Sequence, residues 1–277
     1  MNSVLTYDTL YTLPLWQSMR SITLEEMSSV KLMNRLDTKY VLTEEEAMTL
    51  LDSAAAQGYR IQVIGDIRAA RYRTLYYDTS EREMYISHHN RVLTRQKIRT
   101  RHYADTADTF LEVKNKSNRG RTMKQRIHIP QSSYADILNC GEAITFLAQR
   151  TKYSPVALSP ALATYFTRIT IVNPTLNERV TLDLNLKYED LRSGRYAEIV
   201  GMVILEIKHE KGCCSAIKDI LLSMRINPFK VSKYCLGTAL TVDGIKRNRM
   251  KEKLRTIEKR IGYNRINIYE NTANVQH

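Results

Sequence analysis

Cysteine is scarce and poorly placed for bridging or metal binding. The four cysteines among 277 residues are Cys140, Cys213, Cys214 and Cys235; none forms a CxxC pair, and the adjacent Cys213 and Cys214 cannot clip a loop together. A disulfide scaffold and a structural zinc site are therefore not expected. No histidine stands at a suitable spacing from them, so thiol catalysis has no support. No apolar run approaches the ~18 residues of a membrane-spanning helix. Met1–Leu15 lacks the basic-then-apolar order of a signal peptide. GxxxxGK[ST], GxGxxG, GxSxG and HExxH are all missing, which removes the commonest nucleotide-binding, hydrolase and metalloprotease signatures. No internal repeat or low-complexity segment interrupts the chain. His88-His89 reads as a surface pair rather than a metal site, because adjacent ligands are rare in metal motifs. The two rings would point to opposite sides of an extended chain, or about 100° apart on a helix.

Acidic residues are also in short supply. Lys and Arg number 42 against 29 Asp and Glu, a formal charge of +13, with a pI of about 9.5. Hydrophobic residues at 43% and charged residues at 26% suit a folded domain and exclude disorder over most of the chain. The sequence reads as soluble and cytoplasmic, and a chain this basic binds something polyanionic.

The charge is concentrated in two places. Lys246 to Arg260 holds eight basic residues against Glu252 and Glu258, so this window alone carries +6. Its apolar residues Ile245, Met250, Leu254 and Ile257 recur at roughly helical spacing, which predicts an amphipathic basic helix. The plain expectation is a solvated terminal helix, and the sharper ones are contact with an anionic membrane surface, a nucleic acid or an acidic partner.

The remaining +7 follows a period of two. Arg95, Lys97, Arg99 and Arg101 alternate with Gln96, Ile98 and Thr100, and Glu112, Lys114 and Lys116 alternate with Leu111 and Val113. Lys124, Arg126 and His128, then Asp183, Asn185 and Lys187, then Glu206 and Lys208 repeat the pattern. This is the strand signature of one apolar and one charged face. On an ordinary solvent face Lys and Glu would intersperse, because like charges facing each other across strands repel. Here the charged faces are mostly basic and rich in arginine, which suits bidentate phosphate recognition. Eight strands are predicted: Leu36–Leu42, Arg71–Tyr77, Asn90–Tyr103, Thr109–Asn115, Arg121–Pro130, Thr164–Val172, Arg179–Lys187 and Met202–Lys208. That number of antiparallel strands can close into a barrel. Helices are predicted from the Thr43-Glu44-Glu45-Glu46 capping box to Gln57, over Glu142–Lys152, over Cys213–Met224, and from Val231 to Leu240 with Ser232 and Lys233 in its first turn.

In chain order, the sequence contains Arg35-Leu36-Asp37-Thr38-Lys39-Tyr40, Leu75-Tyr76-Tyr77-Asp78-Thr79, Ile98-Arg99-Thr100-Arg101-His102-Tyr103, Leu111-Glu112-Val113-Lys114, Met123-Lys124-Gln125-Arg126, Leu205-Glu206-Ile207-Lys208 and Val231-Ser232-Lys233-Tyr234. Together these closely resemble the VTC domain, the catalytic domain of the vacuolar transporter chaperone polyphosphate polymerases, a branch of the triphosphate tunnel metalloenzymes. The resemblance implies an α+β fold, with an antiparallel β-barrel forming a basic tunnel and flanking helices. It implies a domain over 30–241, an N-terminal segment over 1–29 and a basic helical tail over 242–277. It further implies transfer of the ATP γ-phosphate to a growing polyphosphate chain with Mn2+ or Mg2+.

Carried over by motif, Lys39, Arg99, Arg101, Lys114, Lys124 and Arg168 would bind the phosphate chain from the wall. Arg126 would extend the row, and Ser232 and Lys233 would bind at a helix start. Arg35, Glu112 and Lys208 would support them, and Glu206 would hold the metal. The superfamily opens with ExExK, whereas here Arg35, Asp37 and Lys39 stand at those positions. One carboxylate is missing, which favours the polymerase branch and leaves the metal shell thin. The register of the strand carrying Tyr165, Phe166 and Arg168 is open by one position. Two other activities stay in view: a metal-dependent triphosphatase and a non-catalytic polyphosphate-binding module. The expected partners are ATP and polyphosphate, with no specific nucleic acid. Any membrane association would come through a separate membrane-protein partner, and the basic tail is available to an anionic surface.

Overall fold

The computed structural model describes residues 5–29 and 35–270. In chain order the elements are α1 (Tyr7–Tyr11), α2 (Pro14–Ser18), β1 (Ser21–Thr23), β2 (Arg35–Thr43), α3 (Glu44–Ala56), β3 (Arg60–Val63), β4 (Ala69–Asp78), α4 (Glu83–His89), β5 (Arg95–Tyr103), β6 (Thr109–Lys116) and β7 (Thr122–His128). They continue with α5 (Gly141–Arg150), β8 (Ser159–Val172), β9 (Glu178–Asp190), β10 (Tyr196–Ile199), β11 (Met202–Glu210), α6 (Ala216–Ser223), α7 (Lys233–Thr241), α8 (Asn248–Ile261) and β12 (Ile266–Tyr269).

The strands form one large sheet. An antiparallel run of eight, β2-β11-β9-β8-β4-β5-β6-β7, carries the charged rows. Among the described residues no ladder joins β2 to β7, so the barrel is open along that seam.

Both faces of the sheet are covered. Tyr40, Leu42, Leu182, Val203, Leu205 and Ile207 pack outward against Leu50 and Leu51 of α3 and Ile217 and Leu221 of α6. Further along, Leu75, Tyr77, Ile98, Leu111 and Val113 pack against Ala143 and Leu147 of α5. Each such side chain, fully buried, contributes roughly 1.5–3 kcal/mol of transfer free energy. α3 starts where the sequence predicts: Thr43 Oγ1 accepts from the Glu46 N–H at 3.1 Å, and Glu46 Oε2 accepts from the Thr43 N–H at 2.8 Å. Gly58 follows it at φ +79°, a left-handed conformation that needs no side chain.

The inner side of the curl is partly filled by α7, whose residues from Tyr234 to Thr241 are all buried. Gly237 permits its approach. A Cβ there would lie 2.5 Å from the Tyr188 ring and 2.8 Å from Leu162. α8 packs on the same core through Met250, Ile257 and Ile261, so its apolar stripe is not solvated. Asp78 ties α4 to α7. Its carboxylate accepts from the N–H groups of Met84 at 2.9 Å and Tyr85 at 3.0 Å, and from the Tyr234 hydroxyl.

Several boundaries differ from expectation for visible reasons. The strand predicted from Asn90 starts at Arg95, because 83–89 forms α4 on the Asp78 cap. The helix predicted from Cys213 starts at Ala216, where Ser215 accepts from the Lys218 N–H. The helix predicted from Val231 starts at Lys233, with Ser232 as its cap. The strand predicted from Thr164 begins at Ser159, and its open register is settled by pairing with β4, which sets Phe166 opposite Tyr72 and Arg168 opposite Ala70. His88 and His89 are not a surface pair. They end α4, and His89 is buried with Nε2 2.7 Å from Asn248 Oδ1. Burial, reinforced by Lys97, pushes His88 down to about 2, so its ring is neutral. No three His, Cys, Asp or Glu side chains converge among the described residues.

Candidate functional site

The cross-strand register brings the charged rows together. Lys39 stands opposite Glu206, Arg168 opposite Asp183, Arg99 opposite Glu112, and Lys114 opposite Lys124. Three clusters result, each a carboxylate held by two cations. Glu206 pairs with Lys39 and, at 3.5 Å, with Lys208. Asp183 accepts from Arg168 Nε at 2.5 Å and Nη2 at 2.8 Å, and from Lys233. Glu112, fully buried, accepts from Arg99 Nε at 2.7 Å and pairs with Lys124. Each cluster keeps one net positive charge.

Four further cations on this face have no carboxylate partner among the described residues. Lys97 Nζ donates to Ser232 Oγ at 2.9 Å. Arg101 lies 5.3 Å from the Tyr72 ring centre, and Arg126 lies 4.4 Å from the Phe110 ring centre. Lys114 makes neither a hydrogen bond nor an ion pair among the described residues. Aromatic rings floor the wall. Tyr72 also takes Arg168 at 5.0 Å, Phe166 takes Lys233 at 4.4 Å, and the Tyr76 hydroxyl accepts from Arg99 Nη1 at 3.3 Å.

The segment entering α7 shows how far the sheet curls. The Phe229 N–H donates to the Lys39 carbonyl of β2 at 2.7 Å, Ser232 meets Lys97 of β5, and Lys233 meets Asp183 of β9. One short segment thus touches strands far apart in the sheet order, and the charged face must be concave around it.

Every predicted wall residue with a described side chain lies on this face: Lys39, Arg99, Arg101, Lys114, Lys124, Arg126, Arg168, Lys208, Glu112 and Glu206, with Ser232 and Lys233 beside it. The side chain of Arg35 lies outside the described residues. Asp183, Lys97 and the rings Tyr72, Tyr76 and Phe166 were not anticipated as site residues. Lys97 was detectable, since it belongs to the same period-two row as Arg99.

A family model described as the VTC domain matches residues 34–242. The chain belongs to the VTC domain family. No curated protein is matched by the sequence. Among solved structures, similarity is found to a putative adenylate cyclase from Vibrio parahaemolyticus, with TM-score 0.42, 10% identity, and coverage of 72% of this chain and 94% of that one. A putative adenylyl cyclase from Hippeastrum, HpAC1, described as having a dominant triphosphatase activity, gives TM-score 0.44 and 15% identity over 76% of this chain and 98% of that one. PH1819 from Pyrococcus horikoshii OT3 gives 0.41 and 14% over 72% and 93%.

The electrostatics of this VTC domain follow from burial working against charge. Burial alone would raise the carboxyl of Glu112, but Arg99, Arg101 and Lys124 override it and hold the group well below the usual range. Glu206 is held down in the same way by Lys208 and Lys39, and Asp183 by Arg168 and Lys233. The lysines move the other way. Burial pushes Lys97 and Lys124 down to about 8. Arg99, followed by burial, pushes Lys114 well below its usual value. The wall is thus short of negative charge. Both Glu206 oxygens already face lysines, and no three His, Cys, Asp or Glu side chains converge among the described residues, so a divalent ion held by Glu206 would be shared with oxygens of a bound phosphate. No helix among the described residues is long and apolar enough to cross a membrane.

Proposed function

We propose that this VTC domain is a polyphosphate polymerase that moves the γ-phosphoryl group of ATP onto the end of a polyphosphate chain lying along the concave wall. One observation carries the reading. Glu112, Asp183 and Glu206 are each engaged by two cations, while Arg101, Lys114 and Lys97 stand on the same face with no ion-pair partner among the described residues. Such a wall can neutralise and align phosphates. A terminal phosphate oxygen is already ionised, so its attack on the γ-phosphorus needs no base. The new P–O bond forms as the bond from the γ-phosphorus to the β–γ bridging oxygen breaks, and ADP leaves with that electron pair. Attack by water would require proton removal; the carboxylates, held below their usual range, are weak bases, so that role would fall to a lowered lysine of the wall such as Lys97 or Lys124.

Arg99, Arg101 and Arg168 would hold the transferring group, and Lys39, Lys114, Lys124 and Arg126 the chain. Ser232 and Lys233 would fix one end. Mn2+ or Mg2+ held by Glu206 would supply further charge neutralisation on the phosphate oxygens.

The deciding experiment incubates the protein with ATP and Mn2+ and separates products on a gel. ADP with a polymer ladder is expected, and Glu206→Gln should reduce polymer formation by about 10²-fold or more. Orthophosphate without polymer would identify a triphosphatase instead. Tight phosphate binding with neither product would identify a binding module.

Binding should also depend on pH. Phosphate beside Lys97 and Lys124 restores their ammonium forms, so binding takes up protons above about pH 8 and weakens as the pH rises toward 10.5. The free protein behaves oppositely. Between those values the unfolded chain binds more protons than the native one, so native stability gains from rising pH. Thermal melts at about pH 7 and about pH 9.5, with and without tripolyphosphate, check both signs. A ligand-induced rise in Tm that is larger at the higher pH contradicts the assignment.

A further inference from the structure

The β5–β6 ladder runs out into charge that nothing on the wall offsets. Arg99 faces Glu112, but the next pairs along the ladder are Lys97 opposite Lys114 and Arg95 opposite Lys116. Like charges directly opposite destabilise a sheet. Two more cations approach from other elements. Lys230 lies in the segment leading into α7, and Lys253 lies on α8. The Lys253 ammonium donates to the Lys230 carbonyl oxygen and lies 5.9 Å from the Phe229 ring centre. The fields overlap. Arg95 and Lys230 both press on Lys116, and Lys97, Arg95, Lys253 and Lys116 all press on the His88 ring between them. None of Arg95, Lys116, Lys230 and Lys253 forms an ion pair among the described residues.

We propose that Arg95, Lys116, Lys230 and Lys253 form a second polyanion subsite on the rim, holding a phosphate chain that continues out of the tunnel past Lys97 and Ser232. It rests on the reading of the tunnel as a phosphate site. The track is continuous, because Lys97 belongs to both the wall and the rim. α8 is then the outer wall of this subsite rather than a passive tail, and α8 lies beyond the residues that match the family model. A triphosphate bound among Arg99, Arg101 and Lys114 would not need the rim, whereas a long chain would. Polyphosphate suits the cluster better than single-stranded RNA. RNA binding relies on bases stacking on free aromatic faces, and the Phe229 ring at this cluster already has the Lys253 ammonium 5.9 Å from its centre.

The test compares the binding of tripolyphosphate and long-chain polyphosphate to the full chain, for wild type, Lys116→Gln/Lys230→Gln and Lys116→Arg/Lys230→Arg. Removing facing cations relieves repulsion, so the Gln pair is expected to fold. It should bind long polyphosphate about tenfold more weakly and with a shallower salt dependence. Its affinity for tripolyphosphate should be unchanged, and the Arg pair should restore long-chain affinity. Unchanged long-chain affinity in the Gln pair, or equal losses for both ligands, overturns the rim subsite while leaving the tunnel reading intact. A wild type that binds no tripolyphosphate overturns the tunnel reading and the rim with it. A single-stranded RNA oligomer that binds wild type more tightly than long polyphosphate, and loses affinity in the Gln pair, reassigns the rim to RNA.

Discussion

Arg101→Ala should lower kcat/KM for phosphoryl transfer by about 10²–10³-fold while leaving thermal stability equal to or above that of the wild type. The two halves of this expectation come from the same feature. Arg101 is buried, lies over the Tyr72 ring and has no carboxylate partner among the described residues; its Nε is 3.5 Å from Thr74 Oγ1. In the free protein it is a repulsive neighbour, helping to push Lys114 and Lys124 down. It also helps hold Glu112 ionised, but Arg99 and Lys124 remain to do so, and its repulsion of Lys114 and Lys124 offsets that gain, so its loss falls mainly on the bound and transition states. Arg99→Ala should behave differently. It removes a similar charge from the phosphate but also strands Glu112, so activity and stability should fall together. Steady-state ADP release and thermal melting on the two variants separate the cases. An Arg101→Ala protein that melts well below wild type, or that keeps full activity, would sink the claim that Arg101 is an uncompensated phosphate ligand.

The wall was legible in the sequence where the strands are regular. On β5, β6, β7 and β11 the period of two holds from end to end. Lys97, Arg99 and Arg101 therefore share a face, as do Glu112 with Lys114, Lys124 with Arg126, and Glu206 with Lys208. On β9 it does not hold. Asp183, Asn185 and Lys187 look like one row, but Asn185 adopts φ +54° and the faces exchange there. Leu184 packs outward with the α3 and α6 core, whereas Leu186 packs with α7. Asp183 is therefore the last residue of its row on the wall, and its pairing with Arg168 and Lys233 depends on partners 15 and 50 residues away in the chain. The extra residue lies on β9 opposite Tyr165–Thr167, whereas β8 itself keeps the period of two through Thr164, Phe166 and Arg168. The short helix α4 escapes notice for a different reason. Its seven residues are too few for helical periodicity, and its N-terminus is capped from outside by Asp78.

Glu112 should prove to be the carboxylate on which the fold depends most. Glu112→Gln keeps the shape and one acceptor but removes the negative charge that Arg99 and Lys124 share and that Arg101 also feels. Three cations would then lie together in a site where the carboxylate itself has no solvent exposure. Taking one partner from a buried ion pair costs about 3–5 kcal/mol. For a chain of this size that lowers Tm by roughly 10 °C. Tripolyphosphate supplies the missing charge from the lumen side, so it should raise the Tm of Glu112→Gln by more than it raises that of wild type. Acid provides an independent check with a defined sign. The native Glu112 carboxyl lies below its ordinary value of 4.5, so its contribution is complete above that pH and is lost as the pH falls below it. The stability gap between wild type and Glu112→Gln should therefore narrow on acidification. Chemical denaturation of both proteins from neutral pH to about pH 3 measures this gap. A gap that is absent at neutral pH, or that widens in acid, would show that Glu112 does not hold the cationic belt together.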